Sequence, residues 1–322
     1  MKLLIILLSL IAFSNAKIFI SKWQEAVTPL MVDHIKRSLQ KAEKEGGSLF
    51  ILELNTPGGL ESSMREVIQE FQRTSLPVVV FVYPPGGRAA SAGAIITISA
   101  DVAAMAPGTN IGAATPVQMG GEKMDEAMKQ KVMQDMLAFV RSIAKEKGRN
   151  PQTVEKMVTK AISLTPEEAL KEKVIDIIAT DRKDLLEKLD GKVIKKHGRE
   201  VVIKTKGLQV VEIGKSLREE FLSIITNPTI AYMLLLIGFY GIFFELYNPG
   251  TIIPGTVGVI CFLAFSSLSV KSSISSSCWF SKCATFSSSV FLFLSLFCLE
   301  EGLFCFLYLF IEWVGSLFFI AW

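Results

Sequence analysis

Histidine is nearly absent from this chain of 322 residues, with His34 and His197 its only two. That scarcity excludes a His-built metal centre and leaves a Ser-His-Asp triad hard to assemble. Cysteine is missing from residues 17–227, because all five (Cys261, Cys278, Cys283, Cys298 and Cys305) lie beyond residue 260. The 17–227 stretch therefore has no disulfide framework, no thiol nucleophile and no Cys-based metal site. No basic stripe or aromatic-interleaved basic patch is present. A formal net charge of +3, with both signs interspersed, gives no footprint for nucleic acid.

What the chain has in excess is apolar sequence, with a mean hydropathy of +0.42. The excess comes from the first fifteen residues and from everything after about Asn227. Residues 1–16, MKLLIILLSLIAFSNA, carry an early Lys, an apolar run from Leu3 to Phe13, and small residues up to Ala16. This is the three-part plan of a secretory signal peptide cleaved after Ala16, and its apolar run is shorter than the ~20 residues of a spanning helix. Export follows, which places residues 17–227 on the extracytoplasmic side of the cell membrane.

Residues 17–227 alternate strand and helix patterns. Lys17–Ile20 reads as a strand, Leu30–Glu45 as an amphipathic helix, Ser48–Leu54 as a buried strand and Ser62–Arg73 as a second helix. Pro77–Tyr83 is a second buried strand. A Pro-Pro-Gly-Gly loop then leads into a small-residue helix, Ala90–Ser99, and a strand, Val102–Met105. A long helix is expected from about Glu122 to Lys147, stopped by Gly148. Thr165-Pro166-Glu167-Glu168 starts a further helix, with Thr as N-cap and Pro at the first helical position, and Val174–Ile178 reads as a strand. Near-continuous apolar strands alternating with helices indicate an α/β domain on a mainly parallel sheet.

Thr229–Leu246 carries a single charge, Glu245, and reads as a transmembrane helix. A turn at Pro249–Gly255 separates it from a second apolar run to about Val270, so residues 228–270 form a membrane hairpin. Residues 271–322 are Ser-rich and then Phe/Leu/Cys-rich. Two readings of this tail stay open, a membrane-embedded segment and a frameshifted translation.

Two glycine turns follow consecutive buried strands: Asn55-Thr56-Pro57-Gly58-Gly59 and Gly86-Gly87-Arg88-Ala89-Ala90-Ser91-Ala92-Gly93. Ligands bind at the carboxyl ends of strands in such sheets, and glycines such as Gly59 and Gly87 let backbone approach a substrate closely. Ser91 opens the small-residue helix, where unpaired N–H groups favour a developing oxyanion. Taken alone, a Ser in that setting is more often a packing residue or a helix cap than a nucleophile, and the Gly-x-Ser-x-Gly elbow is absent.

The blocks ILELNTPGG, PVVVFVYPPGGRAASAGAIITISAD, AMAPGTNIGAATPV and SLTPEEALKEKVID together resemble the NfeD-type membrane proteases, relatives of ClpP and of signal peptide peptidase A. The likeness spans roughly residues 17–265. It implies a ClpP/crotonase-like domain of repeated ββα units over 17–227, followed by a C-terminal transmembrane region. It also implies Ser91 as nucleophile, and the backbone N–H groups of Gly58 and Ala92 as the oxyanion hole. The base implied is a lysine rather than a histidine, with Lys123, Lys129 and Lys131 as candidates. Helical geometry does not separate Lys129 from Lys131; the family's register, counted back from Gly148-Arg149-Asn150 at the helix end, matches its dyad lysine to Lys131, with Lys129 next.

A stripe of Met128, Val132, Met136, Phe139 and Ile143 would desolvate the lysine and lower its pKa. His34 is expected on a helix surface and His197 in solvent. The resemblance further implies substrates that are hydrophobic segments of membrane proteins, stomatin-like partners and a homo-oligomer, with no metal or organic cofactor. An acyl-CoA enzyme of the same fold and a catalytically idle membrane scaffold remain the competing readings. Export argues against the first, for lack of a CoA supply.

Overall fold

The computed structural model describes residues 16–116, 126–225, 227–248, 254–261 and 264. The expected signal peptide, Lys123 and the tail beyond residue 264 lie outside these residues. The chain divides into two compact units, Met1–Pro228 and Thr229–Trp322.

The first unit is built on a six-stranded sheet in the order β11-β1-β2-β3-β5-β8. Its strands are β1 (Lys17–Trp23), β2 (Gly47–Leu54), β3 (Val78–Val82), β5 (Val102–Met105), β8 (Ile177–Ile178) and β11 (Gln209–Ile213), and every pair is parallel. Both faces are covered, as an all-parallel sheet requires. Phe19, Phe50, Leu52, Val78, Val80 and Met105 point into one cluster, whereas Ile18, Ile20, Leu49, Ile51, Val79 and Phe81 point into the other. That two-residue alternation is what fixes the register, since a slip by one would exchange the faces.

The first face is covered by α1 (Pro29–Lys44), α2 (Glu61–Arg73), α3 (Ala92–Ser99), α4 (Glu126–Glu146) and α5 (Pro151–Thr159). On the second lie α7 (Arg182–Leu189) and the hairpin of β9 (Val193–Lys196) with β10 (Arg199–Val202). Glu53 on this face is almost fully buried and takes the guanidinium fork of Arg182, whose third nitrogen reaches Glu212.

Two expectations change in detail. A small second sheet, β4 (Arg88–Ala90), β6 (Asn110–Gly112) and β7 (Ser163–Leu164), occupies what reads as loop and helix start. Its strands are only two or three residues long and are defined by pairing with partners distant in sequence. The strand expected at Val174–Ile178 shrinks to β8, because the N–H groups of Val174 and Ile175 turn back to the Ala169 carbonyl. That carbonyl belongs to α6 (Pro166–Lys171), which starts as expected: the Thr165 hydroxyl accepts from the Glu168 N–H while Glu168 accepts from the Thr165 N–H.

A last helix of this unit, α8 (Leu217–Ile225), follows β11. The second unit holds α9 (Pro228–Tyr247) and α10 (254–261). These two meet backbone to backbone: a Cβ on Gly241 would stand 2.6 Å from the Pro254 carbonyl oxygen, and one on Gly258 2.8 Å from the Ile242 nitrogen. Small residues permit such close helix contact. Among the described residues no single helix is long and apolar enough to cross a membrane, and Leu217–Ile225 with Thr229–Glu245 qualify only as a pair.

Candidate active site

The two glycine turns are tied together by backbone. The Thr56 N–H donates to the Arg88 carbonyl at 2.7 Å and the Ala90 N–H to the Thr56 carbonyl at 3.1 Å, while Asn55 Oδ1 accepts from the Arg88 N–H at 3.0 Å. On the far side, Gly59 pairs with Val27, and the Val27 N–H donates to the Gly58 carbonyl at 2.8 Å. A side chain at Gly59 would overlap the Val27 carbonyl at 2.1 Å, and one at Gly87 would stand 2.8 Å from the Pro84 carbonyl. Both glycines expected to border a substrate are thus also demanded by packing.

Ser91 sits between β4 and α3 as the helix N-cap, at φ 53° and ψ −119°. A non-glycine residue at positive φ is strained, and such strain persists only where the surroundings fix it. Here the Ser91 N–H donates to the Gly112 carbonyl at 2.9 Å, and the Ala94 N–H closes the first turn on the Ser91 carbonyl at 3.0 Å. The side chain is half-buried. Gly58, itself at φ 107°, lies directly against it: a Cβ on Gly58 would come within 2.6 Å of the Ser91 Cβ and 3.2 Å of its Oγ. Gly93 must also be bare, since a Cβ there would meet the Thr56 methyl at 2.3 Å.

The structure therefore brings Ser91, Gly58 and Ala92 together. The Ala92 N–H, at the first position of α3, meets no acceptor among the described residues. The Gly58 N–H donates to Thr56 Oγ1 at 3.2 Å, a long bond that a better acceptor could displace. Thr56 and the Gly112 carbonyl shape this site without any signal in the sequence that marks them.

Lys131 is not joined to this group by any described contact. It lies on the exposed part of α4, and takes part in no hydrogen bond or ion pair among the described residues. Lys129 is likewise exposed. The stripe expected to desolvate the lysine begins later than expected: Met128 is 53 % exposed, and burial sets in at Met136 and Leu137 and continues through Val140, Ile143 and Ala144. The reason is that α4 rests on the domain by its C-terminal half. Lys147, just past that end, reaches Asp101 at 2.8 Å, and Arg65 of α2 reaches Asp135 at 2.5 Å and stacks on Phe139 at 4.1 Å.

His34 departs most from expectation. It is fully buried rather than on the helix surface, with Nε2 2.7 Å from Ser21 Oγ and Nδ1 2.9 Å from Glu219 Oε2. Because the carboxylate only accepts, the proton sits on Nδ1 and Nε2 accepts from the Ser21 hydroxyl. Burial lowers the His34 pKa, against the opposing pull of Glu219. Burial also opposes ionisation of Glu219, but hydrogen bonds from Arg37 and His34 outweigh it and hold that carboxyl at about 2. The chain thus contains a serine, an imidazole and a carboxylate in triad order. Ser21 is fully buried, however, so no substrate reaches it. His197 is exposed as expected, its Nε2 3.0 Å from the Thr74 carbonyl. Among the described residues no group of His, Cys, Asp and Glu could hold a metal ion.

Comparison with known proteins agrees with this fold. Residues 17–213 match the family model of the NfeD1b N-terminal domain, and residues 229–319 match the NfeD integral membrane domain. The chain is 36 % identical over 264 residues to the membrane-bound protease PH1510 of Pyrococcus horikoshii, and 31 % identical over 277 residues to the membrane protein NfeD1b of Bacillus subtilis. Each match covers 81 % of this chain, which spans 59 % of the length of either relative.

Among solved structures, the 1510-N membrane-bound stomatin-specific protease, as a lysine-to-alanine variant in complex with a substrate peptide, superposes with a TM-score of 0.61 at 34 % identity. That match covers 65 % of this chain and 97 % of the other. The Pyrococcus horikoshii 1510-N protease specific for a stomatin homolog gives 0.58 at 33 % identity, covering 66 % and 99 %. With both of its domains matched in sequence and the first also in structure, this membrane-associated chain belongs to the NfeD family, joining a ClpP-like α/β domain to the family's integral membrane domain.

Proposed function

We propose that this chain is a membrane-anchored serine endopeptidase in which Ser91 is the nucleophile and Lys131 the general base. The observation that carries the proposal is the backbone at Ser91: strained to positive φ, pinned by Gly112, and flanked by Gly58 and by an Ala92 N–H that meets no acceptor among the described residues. Ser91 Oγ attacks the scissile carbonyl carbon as neutral Lys131 Nζ takes its proton. The Ala92 and Gly58 N–H groups hold the oxyanion, the latter giving up its long bond to Thr56. Collapse breaks the C–N bond while Lys131 returns the proton to the leaving amine. Water then attacks the Ser91 ester, Lys131 takes a proton from it, and the serine hydroxyl is restored.

A lysine is a base only in its neutral form, which an apolar cover favours, so the base must be covered when it works. A bound apolar segment lying over the N-terminal half of α4 would supply that cover. This accords with a preference for hydrophobic segments of membrane proteins, and with a stomatin-like protein as substrate or partner. Gly59 and Gly87 border the path of such a segment. The protease domain covers residues 17–227 on the extracytoplasmic side, residues 228–270 form the membrane hairpin, and the chain works as a homo-oligomer.

The test is cleavage of an apolar membrane-protein segment by the full chain, compared with Ser91→Ala, Lys131→Ala and Lys129→Ala. Turnover should fall by ~10³-fold or more for the first two and persist for the third. Loss with Lys129→Ala and persistence with Lys131→Ala would move the base to Lys129. Cleavage that survives Ser91→Ala would end the proposal.

A further inference from the structure

Helix α8 has its two faces reversed for a helix of a domain bathed in water. Its one buried side chain is a carboxylate, Glu219, at 5 % exposure, whereas Leu217, Phe221 and Ile224 stand 87, 63 and 55 % exposed. Spacings of four and three residues set those apolar side chains on one face, with Glu219 on the opposite one.

The polar face is fastened to the domain. Glu219 accepts from His34 Nδ1 at 2.9 Å, from Arg37 Nε and Nη2 at 2.7 Å each, and from the Ser216 N–H at 2.9 Å. The Ser216 hydroxyl accepts from the Glu219 N–H at 3.2 Å, completing a reciprocal cap. Arg37 also donates to the Gly214 carbonyl at 2.8 Å. A helix tied down through a buried carboxylate to His34 and the half-exposed Arg37 of α1 is not free to enter the hydrocarbon as part of a span, because that would strip Glu219 from its partners.

The occupant of the apolar face follows from chain continuity. Only residues 226–228 separate Ile225 from Thr229, where the integral membrane domain begins. We infer that α8 lies in the bilayer interface, with Leu217, Phe221 and Ile224 seated among lipid at the headgroup boundary and Glu219 drawing the ClpP-like domain down onto the membrane. Such a helix lies along the surface rather than across it.

Nearby charge adds little. Lys215 is tied to Glu25 and Arg37 to Glu219, while the exposed Arg218 is matched by the exposed Glu220. Contact with lipid should therefore need no anionic headgroup and should resist salt. This inference is independent of Ser91 chemistry, and its test runs equally in the Ser91→Ala chain.

The experiment places p-benzoylphenylalanine in the full chain, reconstituted in phosphatidylcholine vesicles, at the position of Phe221, of Ile224 or of Glu220. After irradiation, mass spectrometry reads what each position has captured. Lipid adducts at 221 and 224, several-fold above those at 220 and unchanged in high salt, are expected. Capture of a second copy, capture of this chain's own membrane segments, equal yield at 220, or no lipid adduct at 221 would each overturn the inference.

Discussion

Ser21 and Ser91 occupy opposite kinds of surroundings. Ser21 faces an imidazole whose far nitrogen meets a carboxylate, so every hydrogen bond of a hydrolytic triad is present, yet the hydroxyl is fully buried under α1 and α8. Ser91 has no histidine near it in the described contacts, but it is half-buried, at positive φ, and beside backbone N–H groups that an oxyanion could use. Side-chain hydrogen bonding alone therefore does not mark a catalytic serine. Access and a pre-shaped backbone separate the two. The first constellation holds elements together, and the second is the one we propose receives a substrate.

The widest gap between the two serines should appear on removing each hydroxyl. Ser91→Ala should cut turnover by ~10³-fold or more with little change in thermal stability. Ser21→Ala should leave turnover nearly intact and lower the unfolding free energy by ~1–3 kcal/mol, the usual penalty for leaving a buried polar partner unmet. An inactive but well-folded Ser21→Ala protein would break the contrast.

Gly58→Ala tests the backbone side of it. The new methyl would sit at φ 107° and press on the Ser91 Cβ at 2.6 Å, displacing the N–H that we propose as an oxyanion donor. A loss of ~10²–10³ in turnover is expected, as for removal of one such donor. Measured beside it, Gly148→Ala removes another positive-φ glycine that has nothing within 4 Å of its added methyl, and should cost stability but not turnover.

Glu219→Ala should cost ~2–3 kcal/mol in thermal unfolding of the solubilised chain, the worth of charge-assisted bonds to His34 and Arg37. The smallest effect is in pH. His34 has its folded pKa below the unfolded value of 6.5, so the unfolded chain takes up the proton first. Stability should thus fall as pH drops below about 6.5, until the folded pKa is passed. His34→Gln should flatten that window, and an unchanged slope in the variant would mean another group is responsible.

Much of this was legible in the sequence, for reasons tied to particular segments. SLFILEL and PVVVFVY are buried on both faces, so their apolar runs are continuous, and Thr165-Pro166-Glu167-Glu168 encodes its cap locally. The strand at Arg88–Ala90 was hidden because three residues carry no period, and their pairing to Asn110–Gly112 lies across the fold. The burial of His34 is hidden for a similar reason. Its position on α1 is set by Glu219, far along the chain, and Asp101 collects Lys147 and Lys196 by the same long-range logic. The Ser91 site lies between these cases: the glycines of both turns were visible, while the Gly112 carbonyl and the Thr56 hydroxyl that shape them were not.

The most direct measurement treats the full chain with a fluorophosphonate, then digests it and identifies which serine carries the adduct. The account predicts a single modified peptide, bearing Ser91, whose labelling is lost in Ser91→Ala and slows sharply in Lys131→Ala. Labelling of Ser21 instead, or labelling of the parent no greater than that of Ser91→Ala, would contradict it.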